Sequence, residues 1–165
     1  MNEEVICICY SRTGNTRQTM QEIAGALDCA LVEVRDRVNR RGAIGWLRCG
    51  LDAMRKHTDP LHRFETPRPL SDYRLVILGT PVWAGRCASV MRALLKRRGY
   101  EMRNVAYVIT HRSEEPYREV FDQMDKYLLP ETQRVAEVSL TPGSTGYEFW
   151  RAAFVKSCAD FLEKD

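Results

Sequence analysis

Short continuous apolar runs alternate along the chain with stretches in which apolar residues recur every three or four positions. Residues 5–10, 30–34, 75–78, 105–109 and 135–140 form the runs, mostly continuous rather than alternating, as strands covered on both faces are. Met20, Ile23, Ala24 and Leu27 share one face of a first helix, and Ile44, Leu47, Leu51 and Met54 form the apolar face of a second. A third helix is predicted over about residues 88–98, with Lys96, Arg97 and Arg98 in its last turn and Gly99 just beyond. Tyr117, Phe121, Met124 and Leu128 mark a fourth, ended by Pro130. A fifth starts near Thr145, where Thr145-x-x-Glu148 reads as a capping box, and is expected to bury Trp150, Phe154, Cys158 and Phe161.

Five strands alternating with five helices predict an α/β fold with a parallel sheet and helices on both faces. No repeat, low-complexity tract or linker interrupts the pattern, so residues 1–165 are read as a single domain. The one oversized connection is residues 35–74, an elaborated crossover whose second half, with Pro60, Pro67 and Pro69, reads as irregular surface chain.

Composition narrows the function classes. A chain of 165 residues buries roughly 70% of the surface its unfolded form exposes, so it needs neither disulfides nor a structural metal. The six cysteines, Cys7, Cys9, Cys29, Cys49, Cys87 and Cys158, contain no CxxC pair and no Cys/His cluster. They read as buried, reduced thiols of a cytoplasmic protein. The first apolar run is too short, and its flank too acidic, for a secretory signal, and no window approaches the ~20 apolar residues of a membrane span. Net charge is +3, but residues 35–63 hold eight Lys/Arg against three Asp, leaving −2 elsewhere. That basicity is too local for a nucleic-acid face, and no nucleic-acid partner is expected.

In an open parallel sheet, ligands bind beyond the carboxyl ends of the strands. The first strand is followed by Tyr10-Ser11-Arg12-Thr13-Gly14-Asn15-Thr16 and then directly by a helix. Hydroxyls, an amide side chain and a turning glycine at a helix N-terminus make an anion site, and a phosphate fits there. Three phosphate-handling alternatives fail on spelling. A P-loop requires Lys after its glycine, and Asn15 stands there. A cysteine phosphatase counted from Cys9 requires an Arg where Asn15 lies, and a receiver domain requires acids where Tyr10 and Ser11 lie.

Ser11-x-Thr13-Gly14-Asn15-Thr16 resembles the phosphate-binding loop of flavodoxins and their relatives, including the NAD(P)H-quinone-oxidoreductase type of flavoprotein. The resemblance implies a flavodoxin-like three-layer α/β/α fold, a five-stranded parallel sheet of order 2-1-3-4-5, and FMN as cofactor. It implies phosphate contacts from Ser11, Thr13, Gly14, Asn15 and Thr16, with Arg12 inside the loop; Arg12 and Arg17 occupy variable positions and are expected to point to solvent. Gly79-Thr80-Pro81-Val82-Trp83-Ala84-Gly85 looks like the second flavin-contacting segment. There Thr80, Pro81, Val82, Ala84 and Gly85 would border the ribityl chain and ring. Trp83 would either lie against the ring or pack beneath the loop.

The third loop, Thr110-His111-Arg112-Ser113-Glu114-Glu115-Pro116-Tyr117, departs from the family by lacking glycines. Arg112 there reads either as a cation near the reducible ring or as a solvated residue, and Glu114 and Glu115 as a favourable helix start. His111 is the one histidine in a candidate site loop and a candidate for proton transfer; His57 and His62 read as surface residues, and the three do not form a metal-spaced set.

The resemblance therefore implies an FMN-binding redox protein, either an electron carrier or a small oxidoreductase passing electrons from NAD(P)H to a quinone or similar acceptor. A redox partner protein is the other electron source. A flavodoxin-like scaffold without flavin, acting as a binding or regulatory module, is the alternative, and a homodimer is left open. Shuttle flavodoxins carry a strongly acidic docking surface, whereas this chain is net basic. Arg35, Arg37, Arg40 and Arg41 are expected on the rim beside the phosphate loop, where they would attract an anionic partner.

Overall fold

The computed structural model describes residues 1–35, 40–54 and 64–164. Arg37, His57, Pro60 and His62 lie outside the described residues. The elements run β1 (Val5–Cys9), α1 (Asn15–Ala26), β2 (Ala30–Glu33), α2 (Gly42–Met54), β3 (Leu75–Trp83), β4 (Arg86–Cys87), α3 (Ser89–Arg98), β5 (Asn104–Thr110), α4 (Glu119–Asp125), β6 (Gln133–Leu140) and α5 (Tyr147–Leu162). All pairings in the path β2-β1-β3-β5-β6 are parallel. With the two-residue β4 set aside, this is the expected order 2-1-3-4-5.

Side chains alternate across each strand, so the sheet has two cores. Val5, Cys7 and Cys9 of β1 meet Met20 and Ile23 of α1 and Phe154 and Cys158 of α5. Ile6 and Ile8 face the opposite core with Cys49 and Ala53 of α2, Leu94 of α3 and Phe121 of α4. Because β1 lies between β2 and β3, the connections leaving β1 and β3 depart to opposite sides and leave a crevice at their carboxyl ends.

Several expectations are corrected. The segment after Leu78 is not a loop: β3 continues to Trp83 and turns back into β4, pairing Val82 with Cys87 and Trp83 with Arg86. The two turn residues, Ala84 at φ 48° and Gly85 at φ 71°, have the positive φ values that a tight two-residue hairpin requires. α4 begins only at Glu119; Tyr117, at φ 48°, lies before it. α5 begins at Tyr147 with Gly146 at its N-cap and no side-chain cap, so the capping box does not form. Trp150 is exposed, packed edge-on against Phe149 at 5.1 Å, while Phe154 and Cys158 are buried.

The largest departure is α2. A surface helix normally turns its large apolar residues inward. Here the buried residues are Gly45, Cys49 and Ala53, and Ile44, Leu47, Leu51 and Met54 are exposed by 84, 57, 39 and 65%. Small residues let the helix sit close: a Cβ on Gly45 would stand 2.1 Å from the Arg40 carbonyl carbon.

Candidate functional site

The phosphate-type loop starts where β1 ends. Tyr10 N–H donates to the Gly79 carbonyl at 3.0 Å, tying the loop to β3. Ser11 Oγ accepts the Gly14 N–H at 3.0 Å, leaving the hydroxyl proton available to donate outward. Gly14 is the N-cap of α1 at φ 105°, a conformation that side-chain-bearing residues rarely adopt, and no side chain caps the helix. The first helical bond runs from Gln18 N–H to the Gly14 carbonyl at 2.9 Å. The amides of Asn15, Thr16 and Arg17 precede it and are donors without an intrahelical partner. Thr13 and Asn15 are exposed, whereas Thr16 is buried and shares a 2.7 Å hydroxyl–hydroxyl bond with Thr110 at the end of β5. Cys9, at the base of the loop, is no nucleophile, because burial pushes its thiol up to about 12.

A cleft of about 500 Å³ opens beside this loop, within the size range of cofactor pockets. Its walls bring together Ser11, Arg12, Thr13, Asn15 and Thr16 from the first loop, Pro81, Val82 and Trp83 from β3, and His111 and Arg112 from the third loop. Thr80, Ala84 and Gly85 do not line it. Thr80 is fully buried, its Oγ1 accepting the Ala88 N–H at 3.1 Å ahead of α3, and the other two form the hairpin turn.

Trp83 is 8% exposed. Its ring meets Tyr10 edge-on at 5.5 Å and lies under the Arg40 guanidinium at 5.0 Å, so it is packed beneath the loop and still lines the cleft. Trp46, 66% exposed on α2, is the open aromatic of the cleft. Sequence reasoning missed Trp46, and also missed Tyr117 as a lining residue. The periodic pattern placed Tyr117 on α4 and assigned Trp46 no role.

His111 is clamped. Its Nδ1 stands 2.9 Å from the Ser113 carbonyl, which can only accept, so Nδ1 carries the proton and Nε2 accepts from Ser139 Oγ at 2.6 Å. The Tyr117 ring stands against it at 5.0 Å. Partial burial holds its pKa below the ordinary 6.5, although the Ser113 bond opposes the shift. Both nitrogens are engaged, which makes His111 a brace of the third loop. Since the unfolded chain takes up this proton at higher pH than the folded one, the contribution to stability is present above 6.5 and is lost as pH falls below it. Urea unfolding on either side of that pH is expected to show a shallower acid-side loss for His111→Gln than for the parent. Arg112, by contrast, is exposed at the cleft mouth.

On the far side of the phosphate-type loop lies a groove of about 490 Å³ whose lining, among the described residues, includes Arg12, Arg17, Arg35, Arg40 and Arg41 and one acid, Glu33. Arg12 is not simply solvated: its Nη1 donates to the Arg40 carbonyl at 3.2 Å. Arg17 pairs with Glu33 at 3.4 Å. Arg40 corrects the expected rim of four arginines. Its side chain is 2% exposed, bonded to Asp52 Oδ2 at 2.7 Å and to Ser89 Oγ at 3.0 Å, because a buried guanidinium needs such partners.

Solved structures match along nearly the whole chain. A flavoprotein from Lactobacillus acidophilus in complex with FMN covers 90% of this chain and 99% of its own, at 17% identity and TM-score 0.68. The fold is flavodoxin-like. A Streptococcus flavodoxin with the same flavodoxin-like architecture covers 94% of this chain and 97% of its own, at 12% identity and TM-score 0.58. The NAD(P)H:quinone oxidoreductase of Methanothermobacter marburgensis covers 99% of both, at 12% identity and TM-score 0.52. No family model and no curated protein matches the sequence. In this flavodoxin-like frame the cleft occupies the β1/β3 switch point, where the topology leaves room for a ligand. Among the described residues there is no metal-binding cluster, and no helix is long and apolar enough to cross a membrane.

Proposed function

We propose that this flavodoxin-like chain is an FMN-binding redox protein that accepts electrons from NAD(P)H or a redox partner protein and passes them to a quinone or similar acceptor. The observation that carries the reading is the uncapped start of α1, whose unpartnered amides stand beside the Ser11, Thr13 and Asn15 side chains at the edge of a cofactor-sized cleft. The donor set fits a phosphate monoester without a cationic side chain. The neighbour in complex with FMN supports the choice of cofactor, and the NAD(P)H:quinone oxidoreductase neighbour supports the choice of donor and acceptor.

In this reading Ser11, Thr13 and Asn15 and the amides of residues 15–17 hold the phosphate. Pro81 and Val82 wall the cleft on one side and His111 with Tyr117 on the other, excluding water from a bound ring, while Trp46 offers an aromatic face at the mouth. Bound FMN supplies hydride and single-electron chemistry. Arg35 and Arg41 remain on the adjoining groove, where they attract the phosphates of a nicotinamide donor. The purified protein is expected to be yellow or to take up added FMN with quenching of its fluorescence, and to bleach on mixing with NADH or NADPH. Failure to bind FMN would favour the scaffold reading, and FMN binding without bleaching would favour a protein electron donor.

Arg112 sits where a cation favours the more negatively charged redox state of a bound flavin. Arg112→Ala is expected to lower the midpoint potential in spectroelectrochemistry with FMN still bound. An unchanged potential would return Arg112 to the solvated surface.

A further inference from the structure

We propose that the outward face of α2 docks this protein on an anionic lipid surface. Ile44, Leu47, Leu51 and Met54 follow one another at spacings of three, four and three residues, a single stripe on the helix. All four are exposed and lie opposite the buried Gly45, Cys49 and Ala53, while Trp46, 66% exposed, lies off the stripe on the flank of the helix that borders the cleft. The inward face already rests on the body of the protein through Gly45, Cys49 and Ala53. α2 is therefore apolar on both faces, small residues inside and large ones outside, the composition of a helix that is also covered from without. Long aliphatic residues along one face of a surface-lying helix are how interfacial helices insert between lipid headgroups.

Charge selects the occupant. Residues 35–63, which contain α2, hold eight Lys/Arg against three Asp, and of these Arg40 and Asp52 are spent on each other in a buried pair. Arg48 flanks the stripe with its side chain 53% exposed, and Arg41 lies just before the helix. A second copy of the chain, related by a two-fold axis, would bring this basic segment against itself. An anionic bilayer meets the apolar stripe and the cations together, and arginines near such a surface each strengthen attachment. Trp46 also borders the cleft, so docking would set the cleft mouth at the lipid interface, within reach of a membrane-dissolved acceptor. The inference itself does not rest on flavin binding.

The test is co-sedimentation of the full chain with phosphatidylcholine vesicles and with vesicles that also contain phosphatidylglycerol, across a salt series. Attachment is expected to be roughly tenfold or more tighter on the mixed vesicles and to weaken with salt. The emission of Trp46 should shift to the blue on binding, and the shift should be absent in Trp46→Phe. Leu47→Glu combined with Leu51→Glu should reduce binding to the level of neutral vesicles, and Arg48→Gln should weaken it about fivefold. Ile44→Ser combined with Met54→Ser provides an independent pair should the first prove unstable. Equal sedimentation with both vesicle types, or binding that ignores both pairs of substitutions, would overturn the proposal. So would a dimer in light scattering that Leu47→Glu/Leu51→Glu dissociates while vesicles recover nothing, since the stripe would then be a self-interface.

Discussion

Replacing Thr13 and Asn15 together by alanine is expected to weaken FMN binding by about 10² to 10⁴-fold, since each lost hydrogen bond to a charged group is worth roughly 1.5 to 3 kcal/mol. Both side chains are exposed, so their removal leaves the core untouched and the effect appears in affinity rather than in folding. Thr16 is deliberately spared, because its hydroxyl is committed to Thr110 at 2.7 Å and its loss would disturb the join between two loops. Flavin fluorescence titration checks the number, with the urea midpoint as a control. Unchanged affinity at unchanged stability would show that FMN, if bound, does not place its phosphate on this loop.

The second large effect is on stability. Arg40→Met should cost about 3 to 5 kcal/mol, the range seen when one member of a buried ion pair is removed. The substitution leaves Asp52, only 15% exposed, without the guanidinium at 2.7 Å. It also deprives the buried Ser89 hydroxyl of its donor at 3.0 Å and uncovers one face of Trp83. Guanidinium unfolding should show the midpoint falling at nearly constant slope. Arg35→Gln, on the exposed neighbour, should change stability by no more than about 0.5 kcal/mol. A comparable loss in the two variants would mean that Arg40 contributes only as surface charge.

The central strands β1, β3 and β5 were legible because they are covered on both faces and read as plain apolar runs. The edge strands β2 and β6 are partly exposed and carry Glu33, Glu137 and Ser139 among their apolar residues. The end of β3 was not legible. Gly79 and Pro81 look like a loop in one dimension, yet the β1 pairing ends at Gly79, so Pro81 sits where no partner on that side needs its missing N–H. The start of α5 was misread because Thr145 and Glu148 have capping-box spacing while the turn ahead places Gly146 at the cap.

The phosphate-type loop was legible from its spelling, since donors, glycine and helix start are contiguous. The rest of the cleft was only half visible. Thr80 reads like any other hydroxyl, and only the fold turns it toward Ala88. The burial of Arg40 depends on Asp52, twelve positions on, and Ser89, beyond another element. Periodicity identifies the apolar stripe of α2 but not its direction, because the opposite face, Gly45, Cys49 and Ala53, is also nonpolar. Size and not polarity decides which side goes in, and Trp46 is carried to the cleft mouth by that inversion.

The Arg40 guanidinium rests on Trp83 at 5.0 Å, in the cleft wall, while bonded to Asp52 of α2, so one side chain ties the wall to the helix. If a ligand held against Trp83 shifts α2 through this tie, a contact that holds α2 shifts the ligand's affinity by the same factor. Whatever factor a contact on the helix applies to occupancy of the cleft, the occupant returns to that contact undiminished, and a single measured ratio serves for both.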